Sequence, residues 1–163
     1  RLEKVEGLGR VIAEYNRLAP PDVLVCFSNS GNNAATVDMA LAAHEMGLPV
    51  IAFTNVEYAS QLTTQHSSGK KLKDIADVVI DNCSVIGDAA IQLDGLEVKV
   101  GATSTIPVVY LLAGLLAQTC ENLLEQGITP DVYYNGHLAY ERDDVKEHND
   151  ALVDKYYRRM RNL

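Results

Sequence analysis

Asp22-Val23-Leu24-Val25-Cys26-Phe27-Ser28-Asn29-Ser30-Gly31-Asn32-Asn33 joins an unbroken apolar run to a polar turn. Val23 to Phe27 show no alternation, so the run predicts a strand buried on both faces, as in a parallel sheet. From Asn33 to Met46 the sequence is alanine-rich, with Ala34, Val37, Ala40, Leu41 and His44 on one helical face, and Gly47 stands where a C-terminal glycine cap belongs. Ser28 to Asn33 therefore lie between the carboxyl end of a strand and the start of a helix. Unpaired backbone N–H groups and the positive end of the helix dipole favour an anion there. Gly31 lets the backbone approach a ligand or take a positive φ, while the Ser28 and Ser30 hydroxyls and the Asn32 and Asn33 amides supply donors. The same residue types also suit simple capping of the turn. Neither GxxxxGK[ST] nor GxGxxG occurs in this turn, so a small phosphorylated molecule is expected rather than a nucleoside triphosphate or a dinucleotide.

Outward from this unit the chain alternates. Apolar residues at three- and four-residue steps predict a helix over 2–18, weakened by Gly7 and Gly9 and ended by Pro20-Pro21. Strands are expected over 49–54 and 78–81, with a short helix over 70–76 between them. Residues 82–101 read as a long functional loop with a possible strand at 96–100. From Thr105 to Glu125 apolar side chains cover nearly the whole circumference, which predicts a helix buried on more than one side. A strand over 131–135 and a last helix from Asp143-Asp144 follow. That helix ends in Lys155, Arg158, Arg159 and Arg161, which complement a helix C-terminus. The expected fold is a single α/β domain over 1–163.

Composition narrows the function. The chain has 163 residues, 47% of them apolar, and a formal charge of -8, which disfavours phosphate backbones and anionic lipid surfaces. Neither nucleic acid nor membrane is an expected partner. Cys26, Cys83 and Cys120 are widely spaced with no CxxC pair, so neither a disulfide framework nor a zinc ribbon is expected. The longest apolar run, 106–117, falls short of the roughly 20 residues that span a bilayer. Arg1 opens a mixed segment rather than an apolar leader, and the expected compartment is the cytoplasm.

DVLVCFSNSGNN resembles the phosphate-binding signature of the sugar isomerase (SIS) domain, in which a strand ends in an S-x-S-G loop. LPVIAFT at 48–54 and SSGKKLKDIADVVID at 67–81 resemble the following segments of phosphoheptose-isomerase-like members. The order of Ser28–Gly31, His66–Leu72, Asp81–Cys83, Gly87–Ala89 and Gly101–Thr105 is similar to that in uncharacterised bacterial SIS proteins. The resemblance implies a three-layer α/β/α domain of flavodoxin-like topology with a mainly parallel sheet. It also implies a phosphosugar held by Ser28, Asn29, Ser30 and Asn33, with Gly31 and Asn32 completing the loop. The family's first strand and its hydroxyl-rich loop have no counterpart in these residues. Since the 23–27 strand also needs a second neighbour, the chain is expected to be the later part of a longer protein.

Further candidates are weaker. Ser104 and Thr105, preceding Pro107, either cap the long helix or make a second contact to the sugar or phosphate. His66, in the polar loop 65–71, can move protons near neutral pH or can be a solvated loop residue. Aldose–ketose isomerisation needs a base and a donor near the carbonyl, and His66 and Glu57 are the candidates. No metal site and no cofactor are expected, because the histidines lack ligand spacing. A non-catalytic phosphosugar sensor is the second reading. A flavodoxin-like flavin protein is the third, opposed by the absence of Trp and of an aromatic pair to sandwich the ring. Apolar faces on the late helices predict a homo-oligomer, a dimer or tetramer.

Overall fold

The computed structural model describes residues 2–137 and 142–157. After a short 3-10 helix at Leu2–Lys4, the elements are α1 (Leu8–Tyr15), β1 (Leu24–Phe27), α2 (Ala34–Glu45), β2 (Val50–Thr54), α3 (Val56–Gln61), α4 (Leu72–Ile75) and β3 (Val78–Asp81). A hairpin of β4 (Ala89–Ile91) and β5 (Val100–Ala102) precedes α5 (Thr105–Glu125) and α6 (Val145–Tyr156). The chain divides into two compact units, Arg1–Ala113 and Gly114–Leu163, with the boundary inside α5.

In the first unit, β1, β2 and β3 form a parallel sheet in that order, with Leu24 opposite Val50 and Ile51 opposite Val78. This is the α/β architecture the alternation implied. β2 is the middle strand, paired on both edges, and its Val50, Ala52, Phe53 and Thr54 are fully buried. Cys26, Val37, Ala40, Leu48, Leu72 and Ile75 complete the core around it. Gly9 of α1 meets α2 backbone to backbone, so closely that a Cβ added there would lie 2.1 Å from the Ala35 carbonyl oxygen.

Several expectations need correction. The helix read over 2–18 is broken, because Gly7 adopts φ +88° and starts α1 afresh. Val23 to Phe27 are not buried on both faces: Val23 and Phe27 are about half exposed, and only Cys26 of the run is buried. The cause is topology, since among the described residues β1 pairs with β2 alone. Helix α3 went unread in the sequence because six residues are too few to set a period. The expected 96–100 strand begins only at Val100 and pairs antiparallel with β4, Ala89 facing Ala102.

Helix α5 has the expected bounds, yet none of its residues is buried, and Ile106 and Tyr110 are 76% and 80% exposed. An 18-residue window of it has a mean hydropathy of 1.3, so the 21-residue helix is long and apolar enough, by length and composition only, to cross a membrane. Its last turns carry Gln118, Thr119, Glu121 and Asn122; Gln118 donates to both Glu121 and Asn122. In the second unit, 131–135 is not a strand. Asn149 of α6 satisfies both the N–H and the carbonyl of Tyr134 at 2.9 Å, so the Tyr134 backbone is paired by a side chain instead of a ladder. Lys155 pairs with Asp131 at 2.5 Å, whereas Arg158, Arg159 and Arg161 lie outside the described residues.

Candidate functional site

The loop after β1 is fixed by the carboxyl end of β2 and by the start of α4. The Ser28 amide donates to Phe53 O at 3.1 Å, the Asn55 amide to Asn29 O at 3.0 Å and the Leu72 amide to Gly31 O at 2.8 Å. The turn itself closes through Gly31 N–H, which donates to both the carbonyl and the hydroxyl of Ser28. Gly31 has φ +60°, and an added Cβ would lie 3.2 Å from Thr54 Oγ1, so both its conformation and its surroundings call for glycine. Asn33 takes the position before α2 in extended geometry without a side-chain cap, and its carbonyl accepts from Thr36 and Val37. The amides of Ala34 and Ala35 find no acceptor among the described residues, as expected of a first helical turn.

The side chains divide between anchoring and lining. Asn32 is buried; its Nδ2 donates to Thr63 O at 2.8 Å and its Oδ1 accepts from the Gln65 amide at 3.1 Å, which ties the loop to the segment after α3. Asn29 Oδ1 accepts from Asn82 Nδ2 at 3.0 Å and Ser84 Oγ at 2.8 Å, while its Nδ2 is buried with no partner among the described residues. An unpaired buried donor costs roughly 1 to 3 kcal/mol. Beside the loop lies a cavity of about 460 Å³ lined by Lys4, Ser30, Asn32, Asn33, Tyr58, Leu62, Thr63, Thr64 and Gln65. It stands outside the carboxyl ends of the parallel strands, where open α/β sheets take ligands.

Of the residues singled out in the sequence, Ser28 to Asn33 come together as one loop. His66 sits close by but is not a solvated loop residue. Its side chain is 6% exposed, Nδ1 accepts the Ser68 amide at 3.0 Å and also faces Ser68 Oγ at 2.8 Å, and Nε2 meets Asp38 Oδ1 at 2.9 Å. An Nδ1 that accepts an N–H leaves the ring proton on Nε2, donated to Asp38. Glu57 is exposed in the first turn of α3 and is not among the residues lining the cavity.

Ser104 and Thr105 stand at the start of α5, also away from that lining. The Asp88 carboxylate accepts the amides of Thr103 at 3.1 Å and Ser104 at 2.7 Å. Burial pushes the Asp88 carboxyl up, but hydrogen bonds from the Ser104 hydroxyl first, then its amide, and from Thr103 outweigh it and hold it below the usual range. The segment that leads into α5 is thus tied to Asp88, just before β4. Tyr58, Thr63 and Thr64 escaped the sequence reading because α3 did; the polar run 63–68 was their only signal. Asn82, which the sequence offered only as part of the Asp81–Cys83 segment, is buried against Asn29.

A profile of the SIS domain matches residues 1–55. The chain is 35% identical over 155 residues to a UPF0309 protein of Halalkalibacterium halodurans, covering 95% of this chain and 62% of that protein. Identity is 35% over 163 residues with a UPF0309 protein of Caldanaerobacter subterraneus, 65% of which is covered. With a UPF0309 protein of Listeria monocytogenes it is 37% over 161 residues, 99% of this chain and 67% of that one. The chain therefore spans about two thirds of the length of these relatives. The strand, loop and helix of residues 24–45 lie inside the matched segment, the similarity continues through the rest of the sequence, and the chain belongs to the UPF0309 family of SIS-domain proteins.

Proposed function

We propose that this chain binds a sugar phosphate, with the phosphate on the Ser28–Asn33 loop and the sugar in the adjoining cavity. The observation that carries this reading is the cavity's lining: hydroxyls and amides from Ser30, Asn32, Asn33, Thr63, Thr64 and Gln65, with no carboxylate among the described residues. Such a wall offers donors to phosphate and sugar oxygens without repelling an anion. The free amides of α2 add the positive end of a helix dipole. In this reading Ser104 and Thr105 are a separate hydroxyl pair at the entrance to α5. The protein works in the cytoplasm as a dimer or tetramer.

The expected chemistry is aldose–ketose isomerisation. A base takes the proton from C2 of the open-chain sugar and returns it to C1, while a donor serves the carbonyl oxygen. His66 and Glu57 are the proposed acid–base pair, and His66 would release Ser68 before its Nδ1 could take a proton. A second reading, a phosphosugar sensor without turnover, is favoured by the engagement of both His66 ring nitrogens. Titration calorimetry against a panel of hexose and heptose phosphates tests the binding. The Ser28→Ala, Ser30→Ala double variant is expected to lose about 1 to 3 kcal/mol of affinity, the worth of hydrogen bonds to a charged group. Unchanged affinity refutes the assignment. Solvent deuterium appearing at C1 or C2 of a bound sugar separates the isomerase from the sensor.

A further inference from the structure

The cavity beside the loop carries a charge bias opposite to that of the whole chain. The sequence has a formal charge of -8, yet among the described residues lining the cavity the one ionic side chain is Lys4. Lys4 takes part in no ion pair among the described residues. A second cation stands behind the wall. Lys71 is 9% exposed, and its Nζ donates to Ala59 O at 2.6 Å and to Leu62 O, Leu62 being itself a lining residue. No carboxylate of the described residues lies within ion-pair distance of it, although Asp74 feels its charge.

Glu6 and Asp38, which flank the residues just after Lys4, are already engaged. Glu6 accepts the Ser67 amide at 2.8 Å and the Ser67 hydroxyl at 2.5 Å, and the hydroxyl first, then the amide, hold its carboxyl below the usual range. Asp38 accepts Gly7 N–H on one oxygen and His66 Nε2 at 2.9 Å on the other. The Ser67–Glu6 bonds and the Gly7–Asp38 bond grip residues 6–7, immediately after the 3-10 helix Leu2–Lys4 that presents Lys4. His66 is buried at the centre of this arrangement, 3.9 Å from Glu6 as well.

We infer that Lys4 is the charge-recognising residue of the cavity, contacting an anionic group of the ligand, and that the Glu6–Ser67 and Asp38–His66 bonds are the clasp holding it in the cavity lining. The inference rests on the phosphosugar reading and adds to it the residue that makes binding depend on salt. Within this clasp Ser67 acts through Lys4, as a positioning residue.

Calorimetric titration with inorganic phosphate and with fructose 6-phosphate, at about 50 mM and about 300 mM salt, tests it. Lys4→Ala is expected to weaken both roughly three- to tenfold at low salt and to flatten the salt dependence, while Lys4→Arg keeps both properties. Ser67→Ala is expected to show a loss of the same kind. Combined with Lys4→Ala it should cost nothing further, because both changes remove one cation from the same place. Wild-type affinity and salt dependence in Lys4→Ala, with a loss in the Ser28→Ala, Ser30→Ala variant, overturn the role of Lys4 and leave the loop assignment standing. Fully additive losses for Lys4→Ala and Ser67→Ala overturn the clasp. A wild-type chain that binds neither anion overturns this inference and the phosphosugar reading together.

Discussion

Replacing Gly9 by alanine sets helix propensity against packing. Gly9 lies inside α1, and an exposed helix position gains about 1 kcal/mol when glycine becomes alanine. The packing opposes this. The new Cβ would stand 2.1 Å from Ala35 O, 2.5 Å from Met39 N and 2.7 Å from Asp38 Cβ, and two of these three obstacles are α2 backbone. No rotamer change relieves a backbone contact, so α1 must move outward by on the order of 1 Å, uncovering Ala13, which is now fully buried. Overpacking of this kind costs roughly 1 to 3 kcal/mol, and a backbone obstacle belongs at the upper end. Subtracting the propensity gain leaves about 2 kcal/mol of net destabilisation. The melting temperature should fall by roughly 4 to 8 °C, taking about 2 to 4 °C per kcal/mol for a chain of this size. Circular dichroism during heating and urea titration measures both quantities. Gly7→Ala serves as the comparison: nothing lies within 4 Å of a Cβ there, and only the left-handed conformation, about 1 to 2 kcal/mol, is at stake. A Gly9→Ala variant more stable than the parent would refute the reasoning.

Asp77 holds the Val50 amide at 2.7 Å and His44 Nε2 at 3.0 Å, and these bonds, the amide first, keep its carboxyl below the usual carboxylate range. A depressed folded-state value stabilises above the unfolded value and is lost as pH falls through the folded one, so this contribution disappears below about pH 4. Asp77→Asn should flatten the fall of the urea midpoint on acidification, and an unaltered acid limb would contradict the assignment. Cys83 is exposed, whereas burial pushes the Cys26 thiol up to about 11. Ellman's reagent at mildly alkaline pH should label Cys83 in the folded protein and Cys26 only on unfolding; equal rates would be the wrong result. The uncovered apolar surface of α5 should drive self-association, which Ile106→Asp or Tyr110→Asp would weaken. Light scattering that finds the parent chain a stable monomer at micromolar concentration defeats this expectation.

The amino-acid sequence by itself determined the local units. The apolar run before Ser28, the alanine-rich stretch after Asn33 and the glycine at 47 are short-range signals, and they placed β1, the loop and α2 within a residue or two. The same holds for β2, β3 and α5, whose patterns are set by their own side chains. Tertiary structure alone decided what each unit touches. An apolar strand reads the same whether one or two neighbours flank it, so although the sequence offered β1 only one neighbour, the exposure of Val23 and Phe27 among the described residues was not legible in it. Gly9 looked like a weakness in a helix until α2 backbone was found against it. His66 looked like a mobile loop acid or base until Asp38, 28 residues away, met its ring. Asn29, Asn82 and Ser84 come from two loops that only the parallel order of the sheet brings together. Local conformation follows from covalent geometry and side-chain period, which a sequence carries explicitly, whereas burial, charge pairing and the walls of a cavity depend on distances between residues far apart in the chain.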